Sequence, residues 1–138
     1  MLHRVLPYLK VHKITVAGSS WTAAATSETK TLLTIPARTL IFLSIADTTA
    51  AYVGLAGTTR LRVGTSTGQD QLVREHDVKT AAIVAGGTDT VGGELPSWSA
   101  STTLSATLLS SSGNLGDGAA SNITAGSTAY YFVTLTLP

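Results

Sequence analysis

The chain has 138 residues, only 12% of them charged, a formal net charge of +1 and no cysteine. That length allows one domain with a sizeable core and not two comfortable ones, and the near-zero net charge removes the electrostatic footprint of a nucleic-acid binder. Without cysteine there are no disulfides and no thiolate metal sites, so stability has to come from packing and association.

Thr, Ser, Ala and Gly dominate, and the apolar residues come in short alternating runs. This is the texture of a β-rich protein covered by small hydroxyl side chains. Residues 1–8 read as an N-terminal arm ahead of a β-sandwich domain spanning 9–138. The opening resembles a signal peptide in part, but Pro7 and Lys10 interrupt its apolar stretch too early. An arm both basic and apolar either docks on something or is a frayed terminus.

Leu9 to Ala17 predicts a first strand, with Ile14 and Val16 on one side. Thr29 to Ile35 and Thr39 to Ala46 follow, separated by a Pro36-Ala37-Arg38 turn in which proline fixes the corner. Within the second run, Leu40 to Ile45 is apolar almost throughout, which predicts a strand buried on both faces, in the core or at a subunit interface. It is about a third of a membrane span, so no membrane partner is expected, and the chain reads as a soluble, unprocessed product of a cytoplasm. Ala51 to Leu55 and Thr59 to Val63 are expected to pair as a hairpin through Ala56-Gly57-Thr58, with Leu61 and Val63 facing opposite to Arg60 and Arg62.

Residues 69–78 are the one candidate helix, carrying a thin stripe of Leu72, Val73 and Val78. Ala81 to Val84 is a short strand, residues 86–93 a glycine-rich loop, Thr103 to Ser110 a strand, and residues 111–126 a long connection. Ala129 to Leu137 closes the domain, with Tyr131, Val133, Leu135 and Leu137 on one side and Tyr130, Phe132, Thr134 and Thr136 on the other. The fold class is therefore all-β: a single antiparallel β-sandwich or jelly roll with at most one short helix near 69–78. No internal repeat points to a propeller or solenoid.

Charge is unevenly distributed. Residues 1–38 hold five Lys or Arg against Glu28, whereas residues 70–94 hold five acidic residues against Arg74 and Lys79. Such polarity lets identical or neighbouring subunits attract one another, or it is scattered solvated charge.

Gly64-Thr65-Ser66-Thr67-Gly68 matches a nucleophile elbow, but that motif belongs to a parallel sheet with covering helices and a later histidine, and His76 is the last histidine. A Gly/Ser/Thr turn is the better reading, and no catalytic residue is assigned. Glu75-His76-Asp77 lacks the spacing of helical metal ligands, Asp89 and Glu94 match no calcium loop, and Asn122-Ile123-Thr124 is a sequon only in a secreted chain. No metal, cofactor or small-molecule substrate is expected. Trp21 and Trp98 lie in polar surroundings, where they stack on sugars, plug the sandwich rim or anchor a subunit contact.

Residues 22–37, 60–68, 77–82 and 123–133 together resemble small structural proteins of tailed bacteriophages, in texture and order rather than through an invariant motif. Within that group the pattern is most similar to capsid decoration, or cement, proteins. The resemblance implies a non-enzymatic, homo-oligomeric and typically trimeric β domain that binds the major capsid protein on the outer capsid surface of the virion and stabilises the shell. It also implies contact with the capsid or a neighbouring subunit through the arm: Leu2, Val5, Leu6, Tyr8 and Leu9, with charge from Arg4 and Lys10. The alternative is a glycan-binding domain of a tail or head fibre, stacking sugars on Trp21 or Trp98.

Overall fold

The computed structural model describes residues 8–66, 70–86, 97–117 and 123–138. Nine strands lie along these segments: β1 (Tyr8–Ala17), β2 (Ser27–Ile35), β3 (Thr39–Val53), β4 (Thr59–Gly64), β5 (Val73–His76), β6 (Ala82–Ala85), β7 (Ser97–Trp98), β8 (Thr102–Ser110) and β9 (Ala125–Thr136). A single 3₁₀ turn, Gly18–Ser20, is the only helical element among the described residues.

The strands form two sheets, both antiparallel. One runs β1-β9-β3-β6, with β7 also pairing to β3, and the other runs β2-β8-β4-β5. The neighbours β1 with β9, β2 with β8, β3 with β6 and β4 with β5 are those produced when one long antiparallel ribbon is rolled up, so the topology is a jelly roll. This closes the choice between sandwich types that periodicity alone leaves open.

Alternation decides which side chains reach the core. Leu104, Ala106 and Leu108 on β8 and Leu61 and Val63 on β4 point inward and are fully buried. They meet Ile41 and Ala46 on β3 and Tyr130 and Phe132 on β9, also buried. Arg60 and Arg62 alternate with Leu61 and Val63 on the outer side of β4, as expected.

Threonine fills a structural role beyond covering the surface. Thr29 faces Thr107, Thr34 faces Thr103, Thr39 faces Thr136 and Thr48 faces Thr128 directly across their ladders. Each pair joins its hydroxyls, at 2.9, 3.3, 3.0 and 3.3 Å respectively. Such cross-strand pairs each contribute roughly 0.2–1 kcal/mol, and they satisfy the buried hydroxyls of Thr39, Thr48, Thr107 and Thr128.

Three expectations are corrected. Residues 70–78 hold strand β5 and its flanking turns instead of a helix. A short helix with a thin apolar stripe has a costly nucleus, whereas the β4 edge supplies ladder partners while Leu72, Val73 and Val78 become fully buried. The runs 39–46 and 51–55 are one bulged strand as far as Val53, and residues 56–58 carry the chain from one sheet to the other instead of closing a hairpin. Finally, Leu40 to Ile45 is not buried on both faces of the single chain. The ladder with β9 slips between Ile41 and Leu43, leaving Phe42 46% and Leu43 43% exposed side by side.

Candidate interaction surface

The two outer faces of the jelly roll differ in chemistry. On the β2-β8-β4-β5 sheet, the outward positions are Thr29, Thr31 and Thr34 on β2, Thr103, Ser105 and Thr107 on β8, and Arg60 and Arg62 on β4. Here Arg60 approaches Asp77 at 3.9 Å, Arg62 approaches Glu75 at 3.9 Å, and Lys79 meets Asp77 at 3.0 Å. Burial raises the Asp77 carboxyl, but the hydrogen bonds from Lys79 and the charges of Lys79 and Arg60 outweigh it and hold the group below its usual value. Hydroxyls and paired ions make this a face suited to water.

The β1-β9-β3-β6 sheet presents the opposite. Register places Leu9, Leu135 and Leu40 in one row across β1, β9 and β3, and Val11, Val133 and Leu43 in the next. Lys13, Tyr131, Ile45 and Ala85 form a third row, and Thr15, Ala129, Asp47 and Ile83 a fourth. Leu9 is 61%, Val11 68% and Ile83 69% exposed. The Lys13 ammonium lies 5.5 Å from the centroid of the Tyr131 ring, so even this cation rests on an aromatic surface.

Of the expected arm residues, Tyr8, Leu9 and Lys10 belong to β1, paired with Thr136, Leu135 and Thr134. The described ladder thus includes Tyr8. Leu2, Arg4, Val5 and Leu6 lie outside the described residues, as do Asp89, Glu94 and Asn122.

The two tryptophans part company. Trp21 is 3% exposed, inside the core cluster, with the Lys30 ammonium 5.0 Å from its ring centroid. Lys30 is held there by Glu28 at 2.6 Å, and both face inward on edge strand β2, a placement that guards an open sheet edge. Burial raises the Glu28 carboxyl, but the bonds from Lys30 and the Thr22 amide prevail and lower it. A ring closed off in this way offers no platform for a sugar or a partner, and of the three readings only that of a plug within the sandwich fits Trp21. Trp98 remains half-buried on β7 and borders a groove of about 390 Å³ lined by Thr65, Ser66, Ser101, Thr102, Thr103 and Ser105.

Ser66 is exposed just beyond β4, and Thr65 donates to Gln71 at 2.8 Å. The chain then enters β5, antiparallel to β4, whereas an elbow requires a helix after the strand. His76 sits on β5 and donates from Nδ1 to the Arg74 carbonyl at 2.9 Å. Its burial lowers the imidazole below its usual value, outweighing that bond and the charge of Asp77. Among the described residues, no three His, Asp or Glu gather as metal ligands do.

A second groove, of about 240 Å³, opens between the β1 and β2 edges and is lined by Lys10, His12, Leu33, Pro36 and Thr134, among others. His12 bonds the Thr134 hydroxyl through Nε2 at 3.1 Å, and burial, with the charge of Lys10, lowers its imidazole below the usual value.

The sequence reading named the β1 end of the apolar face, offered Leu40 to Ile45 as a core or subunit-interface strand and set Tyr131, Val133 and Leu135 on one side of the last strand, but it did not join these with Ile83 into one surface. The available signal was apolar residues on both alternating sets of one strand: Leu9 and Val11 against Ile14 and Val16, or Val133 and Leu135 against Tyr130 and Phe132.

The fold is shared with a chain of the cyanophage Pam1 capsid asymmetric unit. The likeness covers 100% of this chain and 91% of that one, with a TM-score of 0.63 and 18% sequence identity, a level that establishes common architecture. No protein-family model and no curated protein matches the sequence.

Proposed function

We propose that the chain is a non-enzymatic structural subunit of a tailed-phage virion, a decoration protein that binds the major capsid protein on the outer capsid surface as a homo-oligomer, with a trimer as the expected form. The observation carrying this reading is that the whole chain, rather than a fragment, adopts the fold of a chain from a phage capsid assembly. A fold does not by itself confer a function. The apolar face adds a physical reason, because shell reinforcement needs complementary surface repeated many times rather than a reaction centre. The arm, with Leu2, Arg4, Val5 and Leu6 followed by the exposed Leu9 and Lys10, is the segment assigned to capsid or subunit contact.

The test is co-sedimentation of the purified protein with expanded shells that lack it. Binding that saturates at a fixed number of copies per shell, with greater resistance of those shells to heat, is the expected result. Protein that stays in the supernatant at every shell concentration overturns the reading.

A second reading, a glycan-binding domain of a phage fibre, draws on the groove beside Trp98: a half-buried aromatic among uncharged hydroxyls suits stacking and hydrogen bonding to a sugar. It predicts binding to host polysaccharide that Trp98→Ala removes without affecting assembly. A glycan array with no signal above background eliminates it.

A further inference from the structure

We infer that the outer face of the β1-β9-β3-β6 sheet is where a second copy of this chain docks, the β1 half of one copy meeting the β3 and β6 half of its neighbour. The inference deepens the homo-oligomer proposed above and rests on that reading for the expectation that copies associate at all.

Three observations carry it. The first is the contrast between the faces: the opposite sheet is covered with hydroxyls and ion pairs, whereas this one exposes Leu9, Val11, Phe42, Leu43 and Ile83 over half-buried Tyr131, Val133 and Leu135. Apolar residues scattered singly need no explanation, but a contiguous set across four hydrogen-bonded strands does.

The second is extent. Three strands in two rows and four in the other two, at about 4.8 Å spacing over about 20 Å, give a footprint of roughly 340 Å² in flat projection. Counted on two copies, with the relief of standing side chains and flanking Leu137 added, the face is on the order of the ~1,200 Å² at which specific interfaces begin.

The third is charge. Among the outward positions of the four rows, Lys13 on β1 and Asp47 on β3 are the charged residues, one of each sign, on opposite halves of the face. Within one chain they are about two strand spacings and one row apart, roughly 12 Å. Sliding the β1 half of one copy over the β3 and β6 half of another brings Lys13 toward the neighbour's Asp47, while like charges stay apart. A two-fold arrangement makes that contact twice and a three-fold ring makes it three times. A strongly charged partner would instead call for a single-sign face. The β-bulge at Phe42 adds to the fit, since it turns two successive large side chains outward on a central strand.

The test is the solution mass of the full chain by light scattering at matched concentrations. Wild type is expected as a multiple of the 14.2 kDa protomer. The double variant Val11→Lys with Ile83→Lys, altering two positions already about two-thirds exposed, is expected at protomer mass with an unchanged circular dichroism spectrum. A wild type that is itself monomeric, or a folded double variant with the wild-type mass, overturns the inference. A second set leaves the apolar residues in place: Lys13→Glu moves the association midpoint at least tenfold to higher concentration, and adding Asp47→Lys brings it back. A double reversal no better than the single one overturns the pairing. Capsid co-sedimentation of wild type reads the proposed function separately, so an oligomer that dissociates as described yet ignores capsids would sink that function and leave this interface standing.

Discussion

Replacing Gly126 by alanine tests how β3 and β9 approach each other. Gly126 has φ +113°, and a Cβ there would lie 2.7 Å from the Tyr52 Cα and 2.7 Å from its ring carbons Cγ and Cδ1. The Tyr52 ring has no easy retreat: it is 3% exposed, its hydroxyl meets the Thr128 hydroxyl at 3.0 Å, and its Cδ1 is also confined by Gly18, where an added Cβ would lie 2.7 Å from it. Two terms therefore add. The left-handed backbone costs an alanine about 1–2 kcal/mol, and forcing a methyl against backbone and a confined ring costs about 1–3 kcal/mol more. The expected loss is thus roughly 2–5 kcal/mol, and with a urea m-value of about 1–3 kcal/mol/M the unfolding midpoint falls by on the order of 1–2 M. Gly113 provides the control, since its φ is +110° but nothing lies within 4 Å of an added Cβ. Gly113→Ala should show only the backbone term, about 1–2 kcal/mol. Urea titrations at one protomer concentration, followed by circular dichroism, measure both, the fixed concentration being required because association shifts apparent stability. Equal losses in the two variants would refute the claim that contact with Tyr52 matters.

The remaining predictions concern the core, pH and the arm. Leu61→Ala removes a fully buried side chain from β4 and is expected to cost about 2.7–5 kcal/mol, measured by the same titration; a loss below about 1 kcal/mol would mean that the site collapses freely. His76 and His12 both have imidazoles lowered by burial, so the fold favours their neutral forms. Stability is then complete above the unfolded imidazole value of about 6.5 and declines as pH falls below it. His76→Gln should flatten that decline, and an unchanged slope between pH 7 and 5 would contradict the assignment. At lower pH, protonation of the lowered Asp77 and Glu28 carboxyls removes a further contribution. Deleting residues 1–7, which leaves the β1 ladder from Tyr8 intact, is expected to abolish capsid co-sedimentation while preserving the thermal transition. Full occupancy by the truncated chain would free the arm of that role.

What the sequence determined was local. Alternation of Leu61 and Val63 with Arg60 and Arg62, the Pro36 corner and the alternating last strand follow from the two-residue period of a pleated chain, and composition alone placed the protein among all-β folds. The apolar stripe at Leu72, Val73 and Val78 was also visible in the sequence, but its secondary structure was not, because burial can be satisfied by a helix or by a strand and the choice lay with the free edge of β4. Three properties belonged to the tertiary structure. Strand order is a matter of partners far apart in the chain, such as Tyr8 with Thr136, and no periodicity encodes it. Trp21 and Trp98 occupy similar polar sequence contexts, yet only packing against the core cluster hides the first and leaves the second beside a groove. The apolar face is the third. Its residues come from four strands spread between Leu9 and Leu135, and a one-residue slip at Phe42 decides how many of them turn outward, which is a property of ladder register and not of the run Leu40 to Ile45 read by itself.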